Sequence, residues 1–107
     1  MVEHLDMIFA ALADPTRRAM LASLSDGERS IGELAAPHAM SFAGASKHVK
    51  ALERAGLVER RKAGRQQLCR LRAAPMAEAD AWLRQWEGFW NAGLDRLEEL
   101  LRTDATP

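Results

Sequence analysis

Two helix-start signals and one helix-stop signal follow one another between residues 30 and 56, and they constrain the fold more than any other feature. Ser30 followed by Glu33 is a capping-box pattern, which predicts the start of a short helix. Ser41 is the next candidate N-cap, and Gly56 is a residue that commonly ends a helix, so a second helix is predicted between them. Two short helices joined by a tight turn form a helix-turn-helix unit, which we place at about residues 30–56.

The sequence pattern changes after Gly56. The stretches "LVERR" and "QQLCRLR" flank "KAGRQ", which predicts two strands joined by a loop that contains glycine. This β-hairpin, at about residues 57–72, is here called the wing. It follows the helix-turn-helix unit directly, so the two are expected to lie side by side.

The flanking segments complete the predicted architecture. Apolar residues between residues 3 and 12 have the spacing of one helical face, and Asp14 with Pro15 starts another helix. Pro75 begins a long terminal helix at about residues 75–102. We therefore predict a single domain over residues 1–107 that is mainly α. It is a winged helix-turn-helix of four helices, a β-hairpin and one terminal helix.

Positive charge is concentrated in residues 41–72, here called the basic segment. The whole chain has 15 basic and 15 acidic side chains. The basic segment holds nine of the basic ones but only two acids, Glu53 and Glu59, so it carries +7 and the remainder carries −7. Such an asymmetry indicates an anionic partner, although charge runs are more often simply solvated faces.

The second helix of the predicted helix-turn-helix would present a small and then cationic face to its surroundings. Its apolar residues have the spacing of one buried face: Phe42, Ala45, Val49 and Leu52. Small residues at the start of the opposite face let a helix end enter the major groove, where lysines reach bases or phosphates. Arginines of the wing would reach the backbone or the minor groove. We predict double-stranded DNA as the partner, contacted by Ser41, Ala43, Gly44, Ser46, Lys47, His48, Lys50, Arg54, Arg61, Lys62 and Arg65.

Two single residues allow more than one interpretation. His48 either contacts a phosphate or packs at the edge of the helix-turn-helix. Cys69 shares a side of its predicted strand with Leu71, which favours a small buried side chain over a redox switch. Arg70 and Arg72 would lower the pKa of the Cys69 thiol if it were exposed.

Large apolar residues recur along the predicted terminal helix, including Trp82, Trp86 and Trp90 at intervals of four. This spacing favours a core or dimer interface over an aromatic cage for a ligand. Gly88 and Gly93 lie in the same helix, where either a close helix crossing or a kink would explain them.

Composition excludes several classes of protein. The single cysteine rules out an internal disulfide and fits a reducing compartment. The longest apolar run, at residues 7–13, is far too short to span a bilayer, and the first ten residues lack a basic signal-peptide region. We expect a cytoplasmic protein with no membrane partner. No catalytic set or metal-ligand spacing is present, so we expect neither an enzyme nor a metal or other cofactor.

The stretches "ALADPTRRAMLASL", "SIGELA" and "SKHVKALERAGLVERRKAGR" resemble the ArsR family of bacterial winged-helix repressors, over about residues 4–102. The resemblance implies a homodimer built largely from the first and last helices, seated on an imperfect inverted repeat in a promoter. The expected dimer interface consists of Leu5, Phe9, Trp82, Trp86, Phe89, Trp90, Leu94 and Leu97.

The best-known members of that family sense metals, and the sequence departs from them. They use a cysteine pair near the third helix, or His and acidic ligands on the terminal helix. Here "SIGELAAPHAM" has no cysteine and residues 75–107 have no histidine. The familiar sensor sites are therefore not expected, and no effector is predicted.

These observations predict a sequence-specific transcriptional repressor that binds an inverted-repeat operator as a homodimer. The alternative is a winged-helix module that binds another protein through its tryptophan-rich terminal helix, without specific DNA binding. A regulator gated by a ligand beside the terminal helix would modify the first hypothesis without replacing it.

Overall fold

The computed structural model describes the backbone of residues 2–105 and the side chains of residues 4–103. Its elements follow the predicted order, with an additional strand and a divided terminal helix. In chain order they are α1 (Val2–Leu12), α2 (Pro15–Leu24), β1 (Arg29–Ser30), α3 (Ile31–Ala35), a 3-10 turn (Ala36–His38), α4 (Phe42–Arg54), β2 (Val58–Ala63), β3 (Gln66–Leu71), α5 (Ala74–Arg84) and α6 (Glu87–Ala105).

The corner between α1 and α2 is fixed by the residues of the sequence DPTRR. The Asp14 carboxylate accepts hydrogen bonds from two backbone N–H groups of the first turn of α2, at 2.8 and 3.2 Å, and Pro15 begins that turn. Arg17 and Arg18 then donate to three carbonyl groups at the end of α1, at 2.7–2.8 Å. One short sequence thus caps the end of one helix and the start of the next.

Both predicted caps of the helix-turn-helix are confirmed. At the start of α3 the Ser30 hydroxyl accepts from the Glu33 N–H at 3.1 Å, and the Glu33 carboxylate accepts from the Ser30 N–H at 2.9 Å. The Ser41 hydroxyl accepts from the backbone N–H three residues later, at 3.0 Å, and so caps α4. Gly56 follows α4 with φ +77°, and a Cβ there would lie 3.3 Å from the ring of Pro75. The positive φ therefore favours glycine, and the contact with Pro75 would crowd any larger residue.

The sheet is antiparallel, with strand order β1-β3-β2. The predicted hairpin is confirmed: Val58 pairs with Leu71 at its base, and Ala63 pairs with Gln66 at its tip. Gly64, at φ +63°, makes the turn between them. The third strand, β1, was not predicted, because two residues carry no alternation and their pairing depends on the position of β3.

The core lies between α1, α2, α3, α4 and the inner face of the sheet. Its largest fully buried side chains include Ile8, Met20, Leu34, Leu52 and Leu57. The first turns of α5 reach this core through Pro75 and Ala79. From residue 80 to residue 103 every described side chain is exposed.

The prediction of one continuous terminal helix is wrong. Helix α5 ends at Arg84 and α6 begins at Glu87. Between them the N–H groups of Gln85 and Trp86 donate to carbonyls three residues earlier, at 3.2 and 3.1 Å, which tightens the chain by one 3-10 turn. Apart from the nearby backbone of α6 itself, no atom of the described residues lies within 4 Å of a Cβ placed on Gly88 or Gly93, so neither glycine marks a crossing of helices within the described part of the protomer.

Candidate nucleic-acid interface

Helix α4 is fixed to the core by one face and presents the predicted DNA-contacting residues on the other. Ala45, Val49 and Leu52 are fully buried. Lys47 and Lys50 are exposed, as the sequence predicts. The other predicted contacts on this helix and its cap divide into exposed residues (Ser41, Ala43, Arg54) and partly buried ones (Gly44, Ser46, His48).

Phe42 does not belong to the buried face, and its predicted burial is wrong. Its side chain is 62 % exposed, although Ala45, one turn later on the same face, is fully buried. Met40, just before the cap, packs against the core instead. The helix periodicity therefore indicated the correct face, but the core does not extend as far as the first turn of α4.

Ion pairs divide the cations of the basic segment into two classes. Four arginines are paired with carboxylates. Arg61 donates twice to Glu28, at 2.8 and 2.9 Å, and Arg60 donates to Glu53, with a shortest distance of 2.9 Å. Glu59 accepts from both Arg70, at 2.8 Å, and Arg72, at 3.2 Å. The pairs with Glu53 and Glu28 join the wing to α4 and to the loop after α2, and the pairs with Glu59 join the two sides of the wing.

The arginines lower the pKa values of the carboxylates with which they pair. The hydrogen bond from Arg61 lowers the pKa of Glu28, and the hydrogen bond from Arg70 lowers the pKa of Glu59. Each acid is therefore held in its charged form and offsets the positive charge beside it. Arg61, a predicted DNA contact, has its charge offset in this way, so it differs from the cations nearer the tip of the wing.

The remaining cations of the basic segment form no ion pair among the described side chains: Lys47, Lys50, Arg54, Lys62 and Arg65. Arg65 lines one groove together with Phe42, so the tip of the wing and the start of α4 lie on the same surface. Arg54 lies elsewhere, in a groove with Met7 and Ala51 between α4 and α1. The predicted contacts therefore lie on α4, on its cap and on the wing. Only Arg65 among them shares the groove at the start of α4, and Arg54 lines a different groove.

His48 lies at the edge of the helix-turn-helix, beside the α1–α2 corner. Its Nδ1 is 3.5 Å from a guanidinium nitrogen of Arg17, whose other nitrogens donate to carbonyls of α1. The side chain of His48 is partly buried. This geometry favours the packing interpretation of His48, and it gives Arg17 a structural role that the sequence did not indicate.

Cys69 is fully buried in β3, opposite Arg60. Burial raises the pKa of its thiol, and this effect outweighs the opposing influence of Arg60. A buried thiol of raised pKa is a poor nucleophile. The interpretation as a small buried side chain is confirmed.

The predicted dimer residues of α5, α6 and the turn between them are all exposed, and together they are here called the terminal apolar face. Its large side chains are between 38 % and 70 % exposed: Trp82, Trp86, Phe89, Trp90, Leu94 and Leu97. Phe9 of α1 joins the face through an edge-on contact with Trp82, with ring centroids 5.7 Å apart. Leu5 is partly buried. Exposed apolar surface of this extent is typical of an interaction site.

The described part of the chain offers neither a membrane span nor a metal-binding cluster. No helix there is both long and apolar enough to cross a membrane. Over the same residues, no group of three or more His, Cys, Asp or Glu side chains is placed to hold a metal ion.

Comparison with known proteins agrees with this geometry. A family model described as a helix-turn-helix domain matches residues 12–61. The HTH-type transcriptional regulator Rv2034 of Mycobacterium tuberculosis is 33 % identical over 99 residues, which cover 92 % of this chain and 90 % of that protein.

Solved structures show the same architecture. The ArsR family transcriptional regulator RHA00566 is 40 % identical, with a TM-score of 0.79 over 85 % of this chain and 94 % of that one. The homodimeric winged helix-turn-helix domain of Mb0332 from Mycobacterium bovis is 25 % identical, with a TM-score of 0.63 over 89 % of this chain and 85 % of that one. By fold, by the exposed cationic face and by these identities over most of both chains, the protein belongs to the ArsR family of DNA-binding transcriptional regulators.

Proposed function

We propose that the protein is a transcriptional repressor that binds an inverted-repeat operator as a homodimer. The observation that carries this proposal is a combination of two features. Exposed cations without ion pairs among the described side chains lie on α4 (Lys47, Lys50) and at the wing tip (Lys62, Arg65), and a separate apolar face is exposed near the end of the chain. One surface suits an anionic duplex and the other suits a second copy of the chain.

The DNA contacts are divided between the helix and the wing. Ser41, Ala43, Gly44 and Ser46 form the small start of α4, which enters the major groove, while Lys47 and Lys50 reach base edges or phosphates. Lys62 and Arg65 at the wing tip contact the adjacent backbone or minor groove. Arg61 contributes less, because Glu28 offsets its charge.

The terminal apolar face, with Leu5 and Phe9, forms the dimer interface. An interface of aromatic and leucine side chains is typical of obligate homodimers. A symmetric dimer would place two recognition helices in successive major grooves, about 34–36 Å apart, which requires an inverted repeat. Bound at a promoter in the cytoplasm, such a dimer represses by occluding the site. The protein needs no catalytic activity, metal or other cofactor for this role.

A second candidate is supported by the same apolar face. If another protein covered that face, the chain would be a protein-interaction module whose basic surface contacts an acidic partner. The two candidates differ in whether a specific duplex is bound and whether the chain is dimeric on its own.

The test uses fluorescence anisotropy with the duplex upstream of the protein's own gene and a scrambled duplex of equal composition. We expect tight binding of two protomers to the first duplex only, and repression of a reporter placed behind it. Equal, weak binding to both duplexes, repeated with duplexes enriched from a random library, would contradict the repressor proposal. A monomeric protein in sedimentation would contradict the dimer.

A further inference from the structure

The exposed side chain of Phe42 stands at the point where α4 begins. The cap formed by Ser41 fixes the start of the helix, so Phe42 occupies its first helical position. Its side chain is 62 % exposed, and Met40 supplies the apolar packing that the core needs there. Phe42 therefore remains available for a contact outside the protomer.

The surroundings of Phe42 indicate the chemistry of that contact. It lines one groove with Arg65, Gln66 and Gln67 from the wing tip and residues 30–32 from the start of α3. Arg65 forms no ion pair among the described side chains. An aromatic ring beside an unpaired cation and two amides complements a surface that is anionic at its border and carries an apolar group within. A DNA major groove that contains thymine is such a surface, because phosphates border it and the thymine C5-methyl group projects into it.

We infer that Phe42 is a specificity-determining residue that packs on the C5-methyl group of a thymine in each half-site. This inference rests on the proposed function. The first residues of a recognition helix are those that meet base edges, and phenylalanine is among the side chains that contact the thymine methyl. The neighbouring exposed residues, Ser41 and Ala43, are small enough to let the ring approach the bases.

Thymine and deoxyuridine differ by this methyl group, which makes a direct test. A duplex is first enriched from a randomised library with the wild-type protein. Each thymine of that duplex is then replaced in turn by deoxyuridine, and the dissociation constants of wild type, Phe42→Ala and Phe42→Leu are measured. Thermal melts of all three proteins show whether they are equally folded, as the exposure of Phe42 leads us to expect.

We expect one replacement per half-site to weaken wild-type binding about fourfold, the size expected when one buried methyl group is removed. Phe42→Ala should bind the unmodified duplex more weakly and lose its sensitivity at that position. Phe42→Leu, which keeps an apolar side chain, should retain part of it. A lower melting temperature of Phe42→Ala would not affect the test, because the wild-type replacement series is decisive by itself.

Two results would overturn the inference, and they differ. If wild type enriches a duplex but no deoxyuridine replacement weakens its binding, or Phe42→Ala keeps the same profile, Phe42 does not contact a thymine methyl and the DNA-binding function stands. If wild type enriches no duplex at all, the proposed function fails and the inference fails with it.

Discussion

Helices α4 and α6 have the same kind of amphipathic pattern but opposite surroundings. The apolar residues of α4, Val49 and Leu52 among them, are fully buried in the core of the protomer. On α6, Leu94 and Leu97 have comparable spacing, yet they are 63 % and 53 % exposed. The difference teaches that periodicity predicts which face of a helix is apolar, and that the rest of the fold decides what covers it. For α4 the cover is the chain itself, and for α6 we propose a second copy.

The largest effect should come from a cavity on the α4 side. Leu52→Ala is expected to lower the free energy of unfolding by about 2–5 kcal/mol, because Leu52 is fully buried and its truncation leaves a cavity that the surroundings fill only in part. Urea denaturation at several protein concentrations measures this. The matched change on the other helix is Leu97→Ala, which removes a contact between protomers. Its effect on the urea midpoint should therefore depend on the protein concentration. Equal losses of stability from both changes at every concentration would contradict the comparison.

The next effect concerns the terminal apolar face. The double change Leu94→Glu and Leu97→Glu should weaken dimerisation at least tenfold while leaving the protomer folded, because two side chains that we place in the interface become charged. Sedimentation measures the mass, and circular dichroism checks the fold. Asp95→Asn with Glu99→Gln, exposed on the same helix, is the control and should leave the mass unchanged. An unchanged mass for the leucine variant would place the dimer interface elsewhere.

A smaller effect separates the two classes of cations in the wing. Changing both Lys62 and Arg65 to alanine should make the negative slope of the logarithm of the DNA-binding constant against the logarithm of the salt concentration shallower. The expected change is about 1 for each phosphate that is no longer neutralised. Changing both Arg61 and Arg70 to alanine should change the slope less, because both arginines are paired with carboxylates. Glu28→Gln, which removes the carboxylate partner of Arg61, should strengthen binding. A larger change of the slope for the Arg61 and Arg70 variant than for the Lys62 and Arg65 variant would contradict this and would show that the ion pairs open on DNA.

The smallest effect is on acid stability. Since the hydrogen bond from Arg70 lowers the pKa of Glu59 in the folded state, the stability gained is present above the unfolded pKa, about 4.3. It is lost as the pH falls through the lower folded value. Urea midpoints of Glu59→Gln should therefore fall less steeply below about pH 4.3 than those of wild type. Glu87→Gln, at a carboxyl with no ion pair among the described side chains, should follow wild type; identical curves for Glu59→Gln and wild type would contradict the prediction.

Features set by neighbouring residues could be predicted from the sequence. The caps at Ser30 and Ser41, the stop at Gly56 and the hairpin turn at Gly64 each depend on a few consecutive residues, and all four are confirmed. The charge of the basic segment was equally visible.

Features set by distant residues could not be predicted. The two-residue strand β1 exists because β3 lies beside it. Phe42 is exposed because the core does not extend to the first turn of α4. The break before Glu87 lies beside Gly88, for which a kink was one of the two predicted explanations, but a glycine alone does not fix where a helix breaks. The pairing of Arg61 with Glu28 joins residues 33 positions apart, which a charge count cannot reveal.

The central claim is that unpaired cations of α4 carry the DNA binding of a dimer. The most direct measurement is anisotropy with the upstream duplex across a salt series, for wild type and for Lys47→Ala with Lys50→Ala. The account predicts that the double variant stays dimeric but binds the duplex more weakly, with a salt dependence that is shallower by about 2–4 per dimer. Equal affinity and equal slope for the two proteins would contradict it.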